Sequence, residues 1–149
     1  MEKVLIRAVN KKDIDSIYNL LKELYETIED KSGLDIDRAY ENLQFFISND
    51  NNLTFVAEWE GNIVGFISVF IRKTILHTLP SALIEELVVD KNYRGKGIGK
   101  RLIEAVIKKC EELNIGEIEV STEITNINAR EFYKSIGFKE KGILLEMDL

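Results

Sequence analysis

The densest chemistry in the sequence is the run Arg94-Gly95-Lys96-Gly97-Ile98-Gly99-Lys100. It follows an apolar stretch, Ala82 to Val89, and opens a segment whose Ile98, Leu102, Ala105, Val106, Cys110 and Leu113 share one helical face. A helix N-terminus presents unpaired backbone N–H groups and a partial positive charge. Glycines let a phosphate approach that backbone with no Cβ in the way, and flanking Arg and Lys add charge-assisted hydrogen bonds. A turn of this composition is suited to a pyrophosphate. Its spacing is not the Walker A pattern G-x-x-x-x-G-K-S/T, nor the dinucleotide pattern G-x-G-x-x-G.

Two carboxylates, Glu85 and Glu86, interrupt the apolar stretch before the turn. A carboxylate in a buried strand needs a partner or a purpose. One purpose is proton removal from an amine with a pKa of about 10, directly or through water. Adjacent strand residues point to opposite faces, so only one of the two is expected to face a site. A salt bridge to a neighbouring element is the competing role for Glu85, and Glu86 reads as structural.

The elements that must position these groups follow from periodicity. Val4-Leu5-Ile6 with Ala8 reads as a first strand. Asn10 caps a helix with the stripe Ile14, Ile17, Tyr18, Leu21, Leu24, Tyr25 and Ile28, and Asp35 caps another with Ile36, Ala39, Tyr40, Leu43, Phe46 and Ile47. After the turn cluster Asn49–Asn52, Leu53 to Trp59 alternates with period two, and Glu60-Gly61-Asn62 supplies a hairpin turn. Ile63 to Ile71 is apolar on both faces and reads as a central strand. Arg72 to Ser81 is a loop, and Ala82 to Val89 a fourth strand. The helix after the glycine turn follows, then a strand at Glu117–Ser121, a short helix at Asn128–Ser135 closed by Gly137, and a last strand at Leu144–Asp148. The order β-α-α-β-β-β-α-β-α-β predicts a mixed α+β sheet flanked by helices.

Composition narrows the function. With 149 residues, the chain is expected to be a single domain over residues 1–149. One cysteine and one histidine leave no disulfide framework and no thiolate or imidazole metal cluster, so no metal is expected. Twenty basic against 26 acidic residues give a net charge of −6, which disfavours nucleic acid as the main partner. The basic residues concentrate at Lys91, Arg94, Lys96, Lys100 and Arg101, a pattern suited to a small anionic ligand. No stretch approaches the roughly 18 apolar residues of a membrane span. Arg7 breaks the first apolar run, so no signal peptide is read and a cytoplasmic location is expected.

The run Ile84 to Gly99 resembles the acetyl-coenzyme A signature of the GNAT superfamily of N-acetyltransferases, its R-x-x-G-x-G core falling on Arg94, Gly97 and Gly99. Asn126-x-x-Ala129-x-x-Phe132-Tyr133-x-x-x-Gly137-Phe138 resembles the C-terminal motif of that superfamily, and Gly61 to Phe66 its hairpin. The element order agrees over nearly the whole chain.

The resemblance implies a GNAT fold and an acetyl-CoA-dependent transfer to a primary amine by direct attack in a ternary complex. It places the pyrophosphate on Arg94, Gly95, Lys96, Gly97, Ile98, Gly99 and Lys100. It implies a fourth strand splayed from the fifth, the pantetheine arm pairing with the exposed edge at Leu87, Val88 and Val89, and an oxyanion-type N–H there. Asn126 is implied to contact the same arm, though a capping role fits it too. Glu85 is implied as the base and Tyr133 as the acid on the leaving thiolate, with core packing beside Phe132 the alternative for Tyr133. Cys110 reads as core and His77 as an exposed loop residue. The aromatics Tyr18, Tyr25, Tyr40, Phe45 and Phe46 read as core or cleft wall.

The implied partner is a small-molecule or peptide amine, and a homodimer is left open. The acidic connection between the first two helices would suit a cationic amine. Two other functions compete: a non-catalytic acyl-CoA-binding sensor, which has no need of both Glu85 and Tyr133, and a phosphate-binding interaction module, which leaves the second motif unexplained.

Overall fold

The structure is a computed structural model that describes residues 3–149. It divides into two compact units, one ending at Glu119 and the other spanning Val120–Leu149. No helix among the described residues is long and apolar enough to cross a membrane.

The first unit is built on a sheet in the order β1-β2-β3-β4-β5, with β1 at Val4–Ala8, β2 at Asn52–Trp59, β3 at Asn62–Arg72, β4 at Ser81–Val89 and β5 at Glu117–Val120. The first three pairings are antiparallel. β2 and β3 meet through the two-residue turn Glu60-Gly61, both residues at positive φ (48° and 85°). That is the mirror-image turn whose twist matches the strands. β5 runs parallel to β4. Gly116 N–H donates to the Pro80 carbonyl, and β4 begins at Ser81, so β5 can pair with β4 only in the forward direction.

Three helices cover the sheet. α1 (Ile14–Thr27) follows a short 3-10 turn at Lys11–Asp13, and Asn10 and Asp13 form a reciprocal capping box. α2 (Ile36–Ser48) is capped by Asp35, which accepts from the N–H groups of Asp37 and Arg38. These two helices press Ile14, Ile17, Leu20 and Leu43 onto Val56, Phe66 and Val88. On the opposite face, α3 (Ile98–Glu112) buries Ile98, Leu102, Ile103, Val106 and Cys110. Each fully buried side chain of this kind contributes about 1.5–3 kcal/mol. The sheet is therefore sandwiched, and its central strands are apolar on both faces as the sequence predicts.

In the second unit, α4 (Ile127–Ile136) is capped by Asn126 and ends at Gly137. Gly137 sits at φ 119°, and Phe138 N–H reaches back to the Tyr133 carbonyl at 3.1 Å, closing the helix in the manner only a left-handed residue allows. The last strand expected at Leu144–Asp148 is not formed. Residues 138–149 carry no regular element, and Leu144, Leu145 and Met147 are exposed. An alternation of apolar residues supplies one face of a strand, but a strand forms only where a neighbour accepts its ladder of hydrogen bonds.

The join between β1 and α1 is a charged one. Arg7 holds both oxygens of the buried Asp13 carboxylate, at 2.8 and 2.9 Å, and reaches Glu58 on β2 at 3.1 Å. The Asp13 carboxyl is held below the usual carboxylate range, first by the Arg7 guanidinium and against the cost of its burial. Such a group stabilises the fold fully above its unfolded pKa of about 4 and loses that contribution as the pH falls through its native one. Asp13→Asn should cost about 2 kcal/mol at neutral pH, because it strips a part-buried guanidinium of its bidentate partner. Urea unfolding at pH 7 and pH 3 checks this: the gap between wild type and variant should narrow at pH 3.

Candidate active site

The glycine turn has the local structure its composition predicts. After β4, Asp90 accepts from Asn92 N–H at 2.8 Å and nucleates the 3-10 turn Lys91–Tyr93. Arg94 then ties the turn to the strand, its Nε donating to the Val89 carbonyl at 3.1 Å. Gly95 and Gly97 lie at φ 75° and 78°, the left-handed region that side-chain-bearing residues enter at a cost. A Cβ at either would meet nothing within 4 Å, so open space lies over both. Gly97 caps α3 without any side-chain hydrogen bond to the helix. The first N–H groups of α3, from Ile98 to Lys100, thus have no capping side chain, and Arg94, Lys96 and Lys100 stand exposed around them. Main-chain N–H groups arranged in this way could cradle an anion.

Sequence reasoning missed the brace of this cradle. Trp59, at the end of β2, packs against Tyr93 (centroids 5.4 Å) and lies 5.8 Å beneath the Lys96 ammonium. In the sequence Trp59 is simply the last residue of an alternating strand. Its partner lies 34 residues on, and the successive pairings of β2 with β3 and β3 with β4 bring them together.

β4 is longer than its neighbour β5. β5 begins beside Pro80 and has four residues, so at equal rise per residue it reaches no further than about Ile84. Leu87, Val88 and Val89 run past its end, paired on their inner side with Ile67, Phe66 and Gly65. Gly65 is required there, since a Cβ on it would stand 3.0 Å from the Val88 carbonyl oxygen.

The two glutamates depart from expectation. The β3–β4 register pairs Ser68 with Glu86 but Val69 with Ile84, so Glu85 is the extra residue of a β-bulge. Counting outward from Val88, which faces α1 and α2, Glu86 lies on that same face. Ile84 faces α3, because Val69 shares the side of Gly65, whose Cβ position meets Leu102. Glu85 stands between Ile84 on the α3 side and Glu86 on the α1–α2 side, where the bulge interrupts regular alternation. Strand alternation predicts opposite faces, and the bulge at Glu85 interrupts that alternation. The two helices do not cover the sheet here: Phe70 is 38% exposed, and Glu85 and Glu86 are solvent-accessible.

The environments of the two differ. The buried Ser68 hydroxyl donates to Glu86 Oε2 and accepts from Glu86 N–H at 3.1 Å. The protein around the Glu86 carboxyl raises it above the usual carboxylate range; Ser68 opposes this and the Glu85 charge adds to it. Glu86, which the sequence suggests is structural, is thus bonded to a buried serine and has a perturbed carboxyl; its signal in the sequence is Ser68 in an otherwise apolar strand.

In the second unit, Asn126 Oδ1 accepts from Ala129 N–H at 3.1 Å, so its capping role is present. Tyr133 is half-buried between Phe132 and Phe138, with edge-on contacts at 5.2 and 5.5 Å, and burial pushes its phenol up. Cys110 is buried and its thiol is pushed up by burial, as suits a core residue. His77 is exposed and bonded to Thr74, and Phe45, read as core or cleft wall, is 73% exposed.

The sequence matches the acetyltransferase (GNAT) family over residues 14–138. The chain belongs to that family. It is 31% identical over 137 residues to an uncharacterized N-acetyltransferase of Archaeoglobus fulgidus, covering 87% of this chain and 89% of that protein. It is 35% identical over 96 residues to N-alpha-acetyltransferase 30 of Dictyostelium discoideum, covering 64% of this chain and 50% of that protein. Its fold superposes on an aminoglycoside acetyltransferase from an uncultured soil metagenomic sample, in complex with trehalose, with a TM-score of 0.83 at 27% identity, covering 99% and 97% of the two chains. The GNAT fold and the N-acetyltransferase class follow, and the strand order β1–β5 with the glycine turn after β4 is this chain's version of it.

Strain at the turn is testable without any ligand. Gly97→Ala should destabilise the protein by about 1–2 kcal/mol, because its Cβ is forced into left-handed geometry. Lys96→Ala, at an exposed side chain, should stay within roughly 0.5–1 kcal/mol of wild type even with loss of the ring contact. Chemical denaturation of the two variants compares them.

Proposed function

We propose that the chain is an acetyl-CoA-dependent N-acetyltransferase that modifies a primary amine by direct attack in a ternary complex. The observation that carries this is the uncapped N-terminus of α3 behind two left-handed glycines with open space above them, in a chain of the acetyltransferase family. The whole chain acts as one acetyltransferase domain, since the family match runs through both units. The acceptor class is not common to the relatives. One is named for alpha-amino groups and another for aminoglycosides, so the shared fold sets the donor chemistry and leaves the acceptor to local residues.

Acetyl-CoA, when bound, supplies an acyl thioester. The N–H groups from Gly95 to Lys100, with Arg94, Lys96 and Lys100, hold its pyrophosphate. The outer edge of Leu87–Val89 pairs with the pantetheine arm, and a main-chain N–H there polarises the thioester carbonyl. Asn126 adds a contact to that arm. Glu85 takes a proton from the acceptor ammonium, directly or through water, and the amine nitrogen then attacks the acetyl carbon. As the C–N bond forms and the C–S bond breaks, Tyr133 gives its phenolic proton to the thiolate. The ammonium loses two protons in all, one to Glu85 and one that restores the Tyr133 phenol. Amide, thiol and one released proton complete the balance. The raised phenol of Tyr133 suits a group that must carry its proton until the thiolate departs.

Acetyl-CoA at about 100 times its Kd should stabilise the native protein by roughly 2.7 kcal/mol, several degrees in Tm. Gly97→Asp should abolish this shift, since it sets a carboxylate where the pyrophosphate approaches. An undiminished calorimetric affinity in the folded variant would remove the glycine turn from the donor site.

Tyr133→Phe should lower kcat by about 10²-fold, the low end for an acid on a good leaving group, with little change in the acetyl-CoA Kd. Steady-state kinetics beside calorimetry separates the two, and a wild-type kcat would leave Tyr133 a packing residue only.

A further inference from the structure

Resting on the reading of this chain as an acetyl-CoA-dependent transferase, we propose that Trp59 is a positioning residue of the donor site, whose indole holds the Lys96 ammonium in place before the donor's pyrophosphate arrives. Trp59 is the one tryptophan of the chain and stands at the last position of β2. Lys96 Nζ lies 5.8 Å from the centre of its ring. The Tyr93 ring packs against the same indole at 5.4 Å, the two planes tilted by 58°. One indole thus contacts residues on both sides of Arg94 and Gly95.

Lys96 is the part of the turn that most needs such a contact. Upstream, hydrogen bonds fix the chain. Tyr93 N–H donates to the Asp90 carbonyl at 2.9 Å, Asn92 N–H to the Asp90 carboxylate at 2.8 Å, and Arg94 Nε to the Val89 carbonyl at 3.1 Å. Downstream, α3 begins at Ile98. Lys96 lies between these supports, with a left-handed glycine on each side. Glycine restricts the backbone least, and lysine carries its charge on a flexible four-carbon stem. The Lys96 side chain is exposed, and among the described residues it makes no ion pair; what it lies against is the Trp59 ring.

The ring suits this task for two reasons. Ordering a flexible side chain is a cost of binding, and a side chain already held near its bound position avoids much of it. An aromatic face also attracts an ammonium without using any of its three N–H donors. Those donors stay available to phosphate oxygens, whereas a carboxylate partner would compete with the phosphate for them.

A packing role alone has a different consequence. If Trp59 only fills space beside Tyr93, its loss loosens the whole turn and lowers acetyl-CoA affinity whether or not residue 96 carries a charge. If it positions Lys96, its loss matters only while the ammonium is present. A double-mutant cycle separates the two.

The test is calorimetric titration of the full-length protein with acetyl-CoA. Trp59→Leu removes the aromatic face, and Lys96→Met keeps an unbranched side chain and removes the charge. Each alone should raise the acetyl-CoA Kd, Trp59→Leu by about 3- to 10-fold. In the Lys96→Met background, Trp59→Leu should add less than about 2-fold. Trp59→Phe, which restores an aromatic face, should bring the Kd back to within about 3-fold of wild type. Circular dichroism verifies that each variant is folded. Should Trp59→Leu not fold, the cycle is run with Trp59→Phe, whose smaller effect should likewise vanish in Lys96→Met. Equal effects of the Trp59 substitution in both backgrounds overturn this inference and leave acetyl-CoA binding standing. So does an unchanged or a tighter Kd in Trp59→Leu, the latter meaning that the ring competes with the phosphate for Lys96. Failure of the wild type to bind acetyl-CoA overturns the donor reading together with this inference.

Discussion

The candidate site depends on one constraint, the slip in register where β4 passes Ser68 of β3. Before it, Ile84 lies opposite Val69; after it, Glu86 lies opposite Ser68, and Glu85 has no partner. A bulge adds a residue to one strand and shifts the alternation of every residue beyond it. It thereby keeps Ile84 and Leu87 both on the α3 side, opposite Val69 and Ile67, while Glu86 comes opposite the buried Ser68 and is bonded to it. A carboxylate packed against an apolar strand needs such a partner.

A second constraint is the length of β5. Four residues beginning beside Pro80 leave the outer edge of Leu87–Val89 beyond the end of the strand. Unpaired main-chain groups at a strand edge are templates for another extended chain. In this chain the strand leads straight from Leu87–Val89 into Arg94 and the glycine turn. The cradle is kept in shape by Trp59 below Lys96 and by Arg94 on the Val89 carbonyl.

Much of this was legible in the residues. Helical stripes at α1, α2 and α3 follow from apolar spacing, because a helix of 3.6 residues per turn has only one way to bury such a set. The caps at Asp35 and Asn126, the Glu60-Gly61 turn and the Gly137 stop are local chemistry and were correctly placed by local rules, while Asn10 caps the 3-10 turn that precedes α1 instead of α1 itself. The glycine turn was legible for the same reason: the left-handed conformations at Gly95 and Gly97 and the bare N-terminus of α3 are properties of consecutive residues.

Tertiary structure alone decided the rest. Alternation treats Glu85 and Glu86 as consecutive residues of a regular strand, and it does not contain the bulge, which is set by the residues the neighbouring strand offers, here Ser68 and Val69, more than a dozen residues away in the chain. The last strand expected at Leu144–Asp148 failed for a related reason, since an apolar segment becomes a strand only when a partner edge satisfies its backbone. Trp59 beneath Lys96 and the Ser68–Glu86 bond are long-range contacts that no window of sequence contains. The sequence by itself determined what is local: helix faces, caps, turns and the left-handed glycines before α3. Register and the position of the bulge depend on contacts between distant segments, and those exist only once the sheet is assembled.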